Sequence, residues 1–314
     1  MPSHPSGTTS DGAPGARNVR GGVADGAGAA ASSGRAWREG AADRRGQVRA
    51  QSDVWQTSLT SIGANKILLR GYPLDEMMGR LGFAEAVYLL LMGELPTPAI
   101  GRMLNAVLVS SLDHGVTPPS TLAARNVATS GAPLKDSVAA GILAFGPHHG
   151  GDIESCMRFL DGGLSMMRSG TPLQQAADGL VLECIGRNEV PPGFGHRFHT
   201  RDPRAARLFQ MALELELEGE HVRLLRAIER ALQAHEEHFE RPMPVNVDGA
   251  IAAVCADLGF AYELGNAVFL ISRLPGLIAH AYEERSRQTP MRQIDPKDHD
   301  YDGARERRLP EGRT

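Results

Sequence analysis

The chain has 314 residues, with 33 Lys and Arg against 37 Asp and Glu and a hydrophobic fraction of 42%. A formal charge of −4 lacks the basic excess of a general nucleic-acid binder, and the length allows one large domain or two of ordinary size. Three scattered cysteines (Cys156, Cys184, Cys255) argue against a disulfide framework or a Cys-rich zinc site, and the longest apolar run, Ala86 to Met92, is too short for a bilayer.

In chain order, the first fifty residues hold 10 Gly and 11 Ala and few large apolar side chains. Such a segment buries too little surface to offset its backbone entropy, so residues 1–52 are expected to form a disordered tail. Its Arg excess without an apolar run excludes a secretory leader and favours a plain tail over an organelle signal. Helical periodicity then dominates. Phe83 to Met92 predicts a buried helix stopped by Gly93, Pro96 and Pro98. Ala99 to Leu112, Leu122 to Thr129 and Ser137 to Phe145 predict three more. Ala205 to Phe239 predicts one long helix, with Leu208, Met211, Leu215, Val222, Leu225, Ile228 and Leu232 on one face. Ala250 to Leu258 and Ala267 to Tyr282 complete the set, and from about Pro290 the chain reads as an extended arm. No alternating strand pattern and no fixed repeat stand out. The expected fold is all-α, the apolar stripes are core, and a cytoplasmic protein is expected that binds neither nucleic acid nor membrane.

Polar residues gather among glycine and proline at helix ends. The segments are Leu112-Asp-His-Gly115, Gly146-Pro-His-His-Gly-Gly-Asp152, Gly193-Phe-Gly-His-Arg-Phe-His-Thr-Arg-Asp-Pro-Arg204 and Pro244-Val-Asn-Val-Asp-Gly249. Glycine lets backbone approach a ligand, a carboxyl in an apolar setting gains proton affinity, and arginine forks match carboxylates. The set suits proton abstraction beside a carbonyl on an anionic substrate. Each member also has a structural alternative: a His pair that caps a helix, Asp248 as an N-cap, an Arg in an ion pair. A Gly-x-Ser-x-Gly elbow and a Walker A loop are both missing. His235 and His238 would share a helix face, but Glu236, Glu237 and Glu240 around them read as a solvated charged surface, and no metal ion is expected.

These segments resemble the citrate synthase superfamily. Leu69-Arg-Gly-Tyr-Pro-Leu-Asp75 with Tyr88-Leu-Leu-Leu-Met-Gly-Glu-Leu-Pro-Thr97 is similar to its amino-terminal signature, and Gly146 to Gly151 to its Gly-Pro-x-His-Gly-Gly loop. Gly193-Phe-Gly-His-Arg with Asp202-Pro-Arg204, Asn246-Val-Asp248, and Ser272-Arg273 with Gly276 to His280 follow in the family's order. The resemblance implies an all-helical homodimer in which a smaller domain closes over a larger one. Residues 53–154 and 250–290 would form the large domain, 155–249 the small one and 291–314 the arm. It implies carbon–carbon chemistry between an acyl-CoA and a 2-oxo acid, with the coenzyme A thioester entering as substrate and no covalently bound cofactor. Asp248 would take a proton from the acetyl methyl, His149 would hold the thioester carbonyl, and His196 would protonate the ketone oxygen of oxaloacetate. His114 would lie near oxaloacetate or citrate, Arg204 and Arg273 would clamp carboxylates, and Arg292 would reach the partner subunit's site.

The chain departs from full-length citrate synthases in one respect: only fifteen residues separate Pro98 from His114, where those proteins carry a long helical insertion. Together with Asp113-His-Gly115 and the Tyr282 to Arg292 stretch, this resembles the compact citryl-CoA lyase type and the corresponding domain of ATP-citrate lyase. The expected activity is cleavage of citryl-CoA to acetyl-CoA and oxaloacetate. The alternatives are citrate or 2-methylcitrate synthesis with release of free CoA, and a non-catalytic acyl-CoA-binding relative.

Overall fold

The computed structural model describes residues 55–146, 149–150, 152–196 and 199–308. The tail expected over residues 1–52 lies outside them, as does His148. The first ordered elements correct the expectation that strands are missing. Thr60–Gly63 (β1), Lys66–Leu69 (β2) and Tyr72–Pro73 (β3) form an antiparallel sheet in the order β1-β2-β3, with Ile62 opposite Ile67. Every residue of β1 is exposed, so the sheet has no apolar face and writes no alternation into the sequence. Arg70 secures it, donating from its guanidinium to Leu90 O and Ser58 Oγ.

The rest is helical. Leu74–Met77 (α1) leads into Phe83–Met92 (α2), Pro98–Ser110 (α3), Pro119–Ala128 (α4) and Leu134–Leu143 (α5). The bounds of α2 to α5 agree with the periodicity within a turn, because proline opens three of these four and Thr97 caps α3 through Ile100 N. Asp152–Arg168 (α6) and Leu173–Arg187 (α7) are helices that the apolar pattern alone does not single out. In α6, Gly162 and Gly163 interrupt the apolar stripe. A β-carbon at Gly163 would lie 2.7 Å from both the Leu180 and the Leu224 side chains, so that glycine lets α7 and a later helix pack closely.

The single helix expected from Ala205 to Phe239 is two: Pro203–Glu214 (α8) and Glu220–Ala234 (α9), followed by a 3₁₀ turn at Glu236–His238. A distant carboxylate imposes the break. Asp257, at the end of Val247–Asp257 (α10), accepts the backbone N–H of Gly219, His221 and Val222 and so caps α9 from another element. No local residue signals such a cap. The early end of α9 also moves His235 and His238 off a continuous helix face. His235 stands at the C-cap of α9 and His238 sits in the 3₁₀ turn, and together with Glu237 they bring ligand-type atoms within 4.8 Å of one another at the surface.

Helix α10 is the centre of the molecule. Nine of its eleven residues, from Val247 to Ala256, are buried. A helix apolar on all sides belongs inside, and its alanines let α6, α8 and α9 pack around it. Gly265–Arg287 (α11) runs across α3, α4, α5 and α6. By length and composition the segment from Tyr262 to Arg287 would pass for a membrane span. Here it packs on four other helices and buries Arg273 and Glu284, as a core helix does.

The α9 cap carries a charge switch. His221 Nδ1 lies 2.8 Å from Asp257 and Nε2 3.4 Å from Asp161. Burial opposes its charge, but hydrogen bonds to both carboxylates prevail and push its pKa from 6.5 up to about 9. A raised folded-state value means protonation favours the fold. The contribution is complete below about pH 6.5 and is lost as pH rises toward 9. His221→Gln is expected to lower unfolding free energy at pH 6 by on the order of 3 kcal/mol. The deficit should narrow toward pH 9 in urea denaturation series, and one constant with pH would contradict the assignment.

Candidate active site

Loops and helix starts from distant parts of the chain line one cavity of about 130 Å³. Its walls are His114, His149, Gly150, His196, Arg204, Asn246, Val247, Asp248, Phe269 and Arg273. Six of the seven residues expected in the site therefore meet there. The seventh, Arg292, does not line it in this single chain. Its guanidinium forks onto Glu284, with Nε–Oε1 at 3.0 Å, and its backbone N–H donates to Thr129 Oγ1.

Asp248 is the second residue of α10. Asn246 caps that helix, its side chain accepting Gly249 N at 3.0 Å and donating to Gly195 O. Two glycines permit the fit: a β-carbon on Gly249 would strike Gly193 O, and one on Gly193 would lie 2.7 Å from Gly249 Cα. Burial first, and then the charge of Asp152, push the Asp248 carboxyl up to about 6, against the pull of Arg204 and Arg273. A position in the first turn of a helix favours a carboxylate, so the desolvation here outweighs a helix terminus.

The three imidazoles are held differently. His149 Nε2 is 2.7 Å from the buried Ser120 Oγ, and its ring stacks on Phe145. His196 Nδ1 accepts the backbone N–H of His199 at 3.1 Å, which places the ring proton on Nε2. The His199 ring lies against it, with centroids 4.3 Å apart. His114 meets His196 edge to face at 6.0 Å. Burial holds His196 and His114 below the ordinary histidine value, helped by His199 at the former and by Arg204 and Arg273 at the latter. Both rings are therefore neutral donors near pH 7.

The two guanidiniums are fixed from behind. Arg273 is 3% exposed, donates from Nε to Ser111 O at 2.8 Å and lies over the Phe269 ring. Arg204 forks onto Asp202, which is 1% exposed and also accepts Arg204 N and Val247 N. A buried cation aimed at a cavity calls for an anionic ligand. The arrangement can bind carboxylates, remove or return a proton through Asp248 and stabilise oxyanions with neutral N–H donors. Ser120 and Phe269 support it without a sequence signal of their own, since neither belongs to the polar clusters among glycines, whereas His199 lies in the Gly193 to Arg204 cluster but does not stand out within it.

Comparison with known proteins identifies the family. Residues 97–294 match the family model described as citrate synthase, C-terminal domain. The chain therefore belongs to the citrate synthase family. It is 30% identical over 209 residues to citrate synthase 2 of Bacillus subtilis (strain 168), covering 65% of this chain and 52% of that protein. It is 25% identical over 269 residues to ATP-citrate synthase beta chain protein 1 of Oryza sativa subsp. japonica, covering 79% and 42%. The chain thus spans about half the length of the curated relatives it matches. Against the solved citryl-CoA lyase of Hydrogenobacter thermophilus the TM-score is 0.75 with 41% identity, covering 82% of this chain and 98% of that one.

Helix α11 passes so close to the loop before His114 that a β-carbon at Gly276 would strike Leu112 O. Alanine in place of glycine in a helix interior normally gains about 1 kcal/mol. Gly276→Ala is expected to do the reverse and cost about 1–3 kcal/mol, because the loop must shift. A thermal midpoint that rises in this variant would show that the loop is not pressed against the helix.

Proposed function

We propose that this protein makes and breaks the carbon–carbon bond between acetyl-CoA and oxaloacetate through citryl-CoA, acting as a citryl-CoA lyase. One observation carries this: a carboxyl with raised proton affinity shares a small cavity with two neutral histidines that donate, a third on a buried serine, and two guanidiniums. The 41% identity to a citryl-CoA lyase over nearly all of that protein supports the same reading.

In the bond-forming direction, Asp248 takes a proton from the acetyl methyl while His149 hydrogen-bonds the thioester oxygen as the enol forms. The enol carbon attacks the ketone carbon of oxaloacetate. His196 Nε2–H stabilises and protonates the ketone oxygen as it becomes the citryl hydroxyl. Arg204, Arg273 and His114 hold the carboxylates. Cleavage reverses each step and ends with Asp248 returning a proton to the enolate carbon. That last transfer needs a protonated carboxyl. With a pKa of about 6, roughly one molecule in ten carries it at pH 7, far more than for an ordinary aspartate. The acyl group enters as a coenzyme A thioester, the substrate itself.

Two features of the assembly belong to the same proposal. Half of the cavity wall comes from residues 155–249 (His196, Arg204, Asn246, Val247, Asp248) and half from the remainder. Movement of that segment as a smaller domain would close the site over its substrates and exclude water. A homodimer is supported by apolar side chains left exposed on α4, α5 and α11, three helices that pack together: Leu122, Leu143, Ile278 and Tyr282, with Leu143 84% and Tyr282 66% exposed.

Citrate synthesis is the second reading, since curated relatives carry that name. It adds hydrolysis of the citryl thioester. Purified protein supplied with citryl-CoA is expected to release oxaloacetate in an NADH-coupled assay, and Asp248→Ala to lower the rate by about 10²–10⁴. No oxaloacetate above that variant's rate rejects the lyase. Free thiol from acetyl-CoA or propionyl-CoA plus oxaloacetate would mark a synthase, and CoA binding in calorimetry without turnover a non-catalytic relative.

A further inference from the structure

One half-buried acid beside the site is left without a role by this chemistry. Asp152 opens α6, directly after the loop that carries His149, and its Oδ2 accepts the backbone N–H of Gly193 at 2.8 Å. Gly193 in turn accepts Asn246 N at 3.1 Å through its carbonyl and touches Gly249. Asp152 thus reaches the strip of backbone that lies between its own carboxylate and Asp248, three residues before His196. We propose that Asp152 is a positioning residue: it latches the His196 segment to the start of α6 and, as a second negative charge behind Asp248, controls when Asp248 carries its proton.

The hydrogen bond alone does not explain an acid here. A neutral amide or hydroxyl oxygen would accept Gly193 N equally well, and a half-buried carboxylate beside another carboxyl is costly. The charge is what an acid adds. The groups facing Asp248 from each neighbouring element are few. Helix α6 brings Asp152 and Cys156, α8 brings Arg204 with its cap Asp202, α11 brings Arg273, and the loops bring His114, His149 and His196. The Cys156 thiol is fully buried and, held high by that burial, stays uncharged. The histidines at 114 and 196 are neutral, and the Arg204 fork is committed to Asp202. Among the described residues, Asp152 is therefore the acid near Asp248 whose charge no guanidinium fork neutralises. Burial raises its own proton affinity as well, against the Gly193 hydrogen bond, and a charge on Asp152 opposes ionisation of Asp248.

The kinetic consequence rests on the role proposed above for Asp248, whereas the coupling itself does not. Asp152→Asn keeps an acceptor for Gly193 N and removes the charge, so the ionised form of Asp248 becomes easier to reach and its titration midpoint falls. With the aspartate carboxyl carbons labelled with ¹³C, and the Asp248 signal assigned by its loss in Asp248→Asn, that midpoint is expected to move down by about one pH unit. The high-pH limb of kcat/KM for citryl-CoA cleavage should move down with it. An unmoved midpoint in a folded Asp152→Asn overturns the proposal. If that variant does not fold, the wild-type signals decide. Two-step titration shared by Asp152 and Asp248 supports coupling, and independent single-step curves overturn it. A midpoint that moves in a protein that never cleaves citryl-CoA would retain the coupling and reject the lyase function.

Discussion

The buried carboxylate of Asp202 holds the cavity in shape. It caps α8, forks with Arg204 and accepts the first N–H of α10 at Val247. One side chain thus binds together the starts of two helices that are more than forty residues apart, and those starts carry Arg204 and Asp248. Burial would raise the proton affinity of Asp202, but the Arg204 hydrogen bonds and charge hold it below the ordinary aspartate range. It stays ionised and keeps the geometry. Without it, a guanidinium and a helix N-terminus would both lose their buried partner, a loss worth several hydrogen bonds to charge.

Desolvation sets the protonation states of Asp248, His114 and His196, with opposite results for acid and base. It pushes the Asp248 carboxyl up and keeps His114 and His196 down. The outcome is an acid with appreciable proton occupancy beside neutral donors, with the positive charge confined to arginine. In the reaction proposed above, such a division would separate the group that exchanges a proton with carbon from the groups that stabilise oxygen.

Helix α11 connects that cavity to the surface. Along its length it presents Phe269 and Arg273 to the site, Gly276 to the loop before His114, and His280 to Asp113 at 2.9 Å. Further along, Glu284 pairs with Arg125 at 2.7 Å and with Arg292 of the C-terminal arm. Arg125 also contacts His280 Nδ1 at 3.1 Å. An unbroken set of polar contacts therefore runs from the arm to the residue beside His114, through His280 and Glu284 of α11 and Arg125 of α4. Arg292 is a member of this network in the single chain rather than part of the cavity wall.

Much of this could be read from the amino-acid order. Proline starts, glycine stops and apolar spacing locate α2 to α5, α10 and the start of α11 within about a turn, because those signals are local, while α11 runs five residues past its expected end at Tyr282. Ordered His, Asp and Arg clusters among glycines point to the residues that line the cavity, since close backbone approach requires glycine and proton transfer requires those side chains. Other features depend on partners far along the chain. The break between α8 and α9 comes from Asp257, the glycine in α6 from leucines on two other helices, and the exposed sheet leaves no alternation to read. The ring orientation of His149 comes from Ser120 and the tautomer of His196 from a backbone N–H at His199. Composition and spacing determine which groups are present and which segments are helical. Only packing decides their distances, their solvent and therefore their charges, because desolvation and hydrogen-bond geometry belong to the assembled interior and not to any stretch of chain.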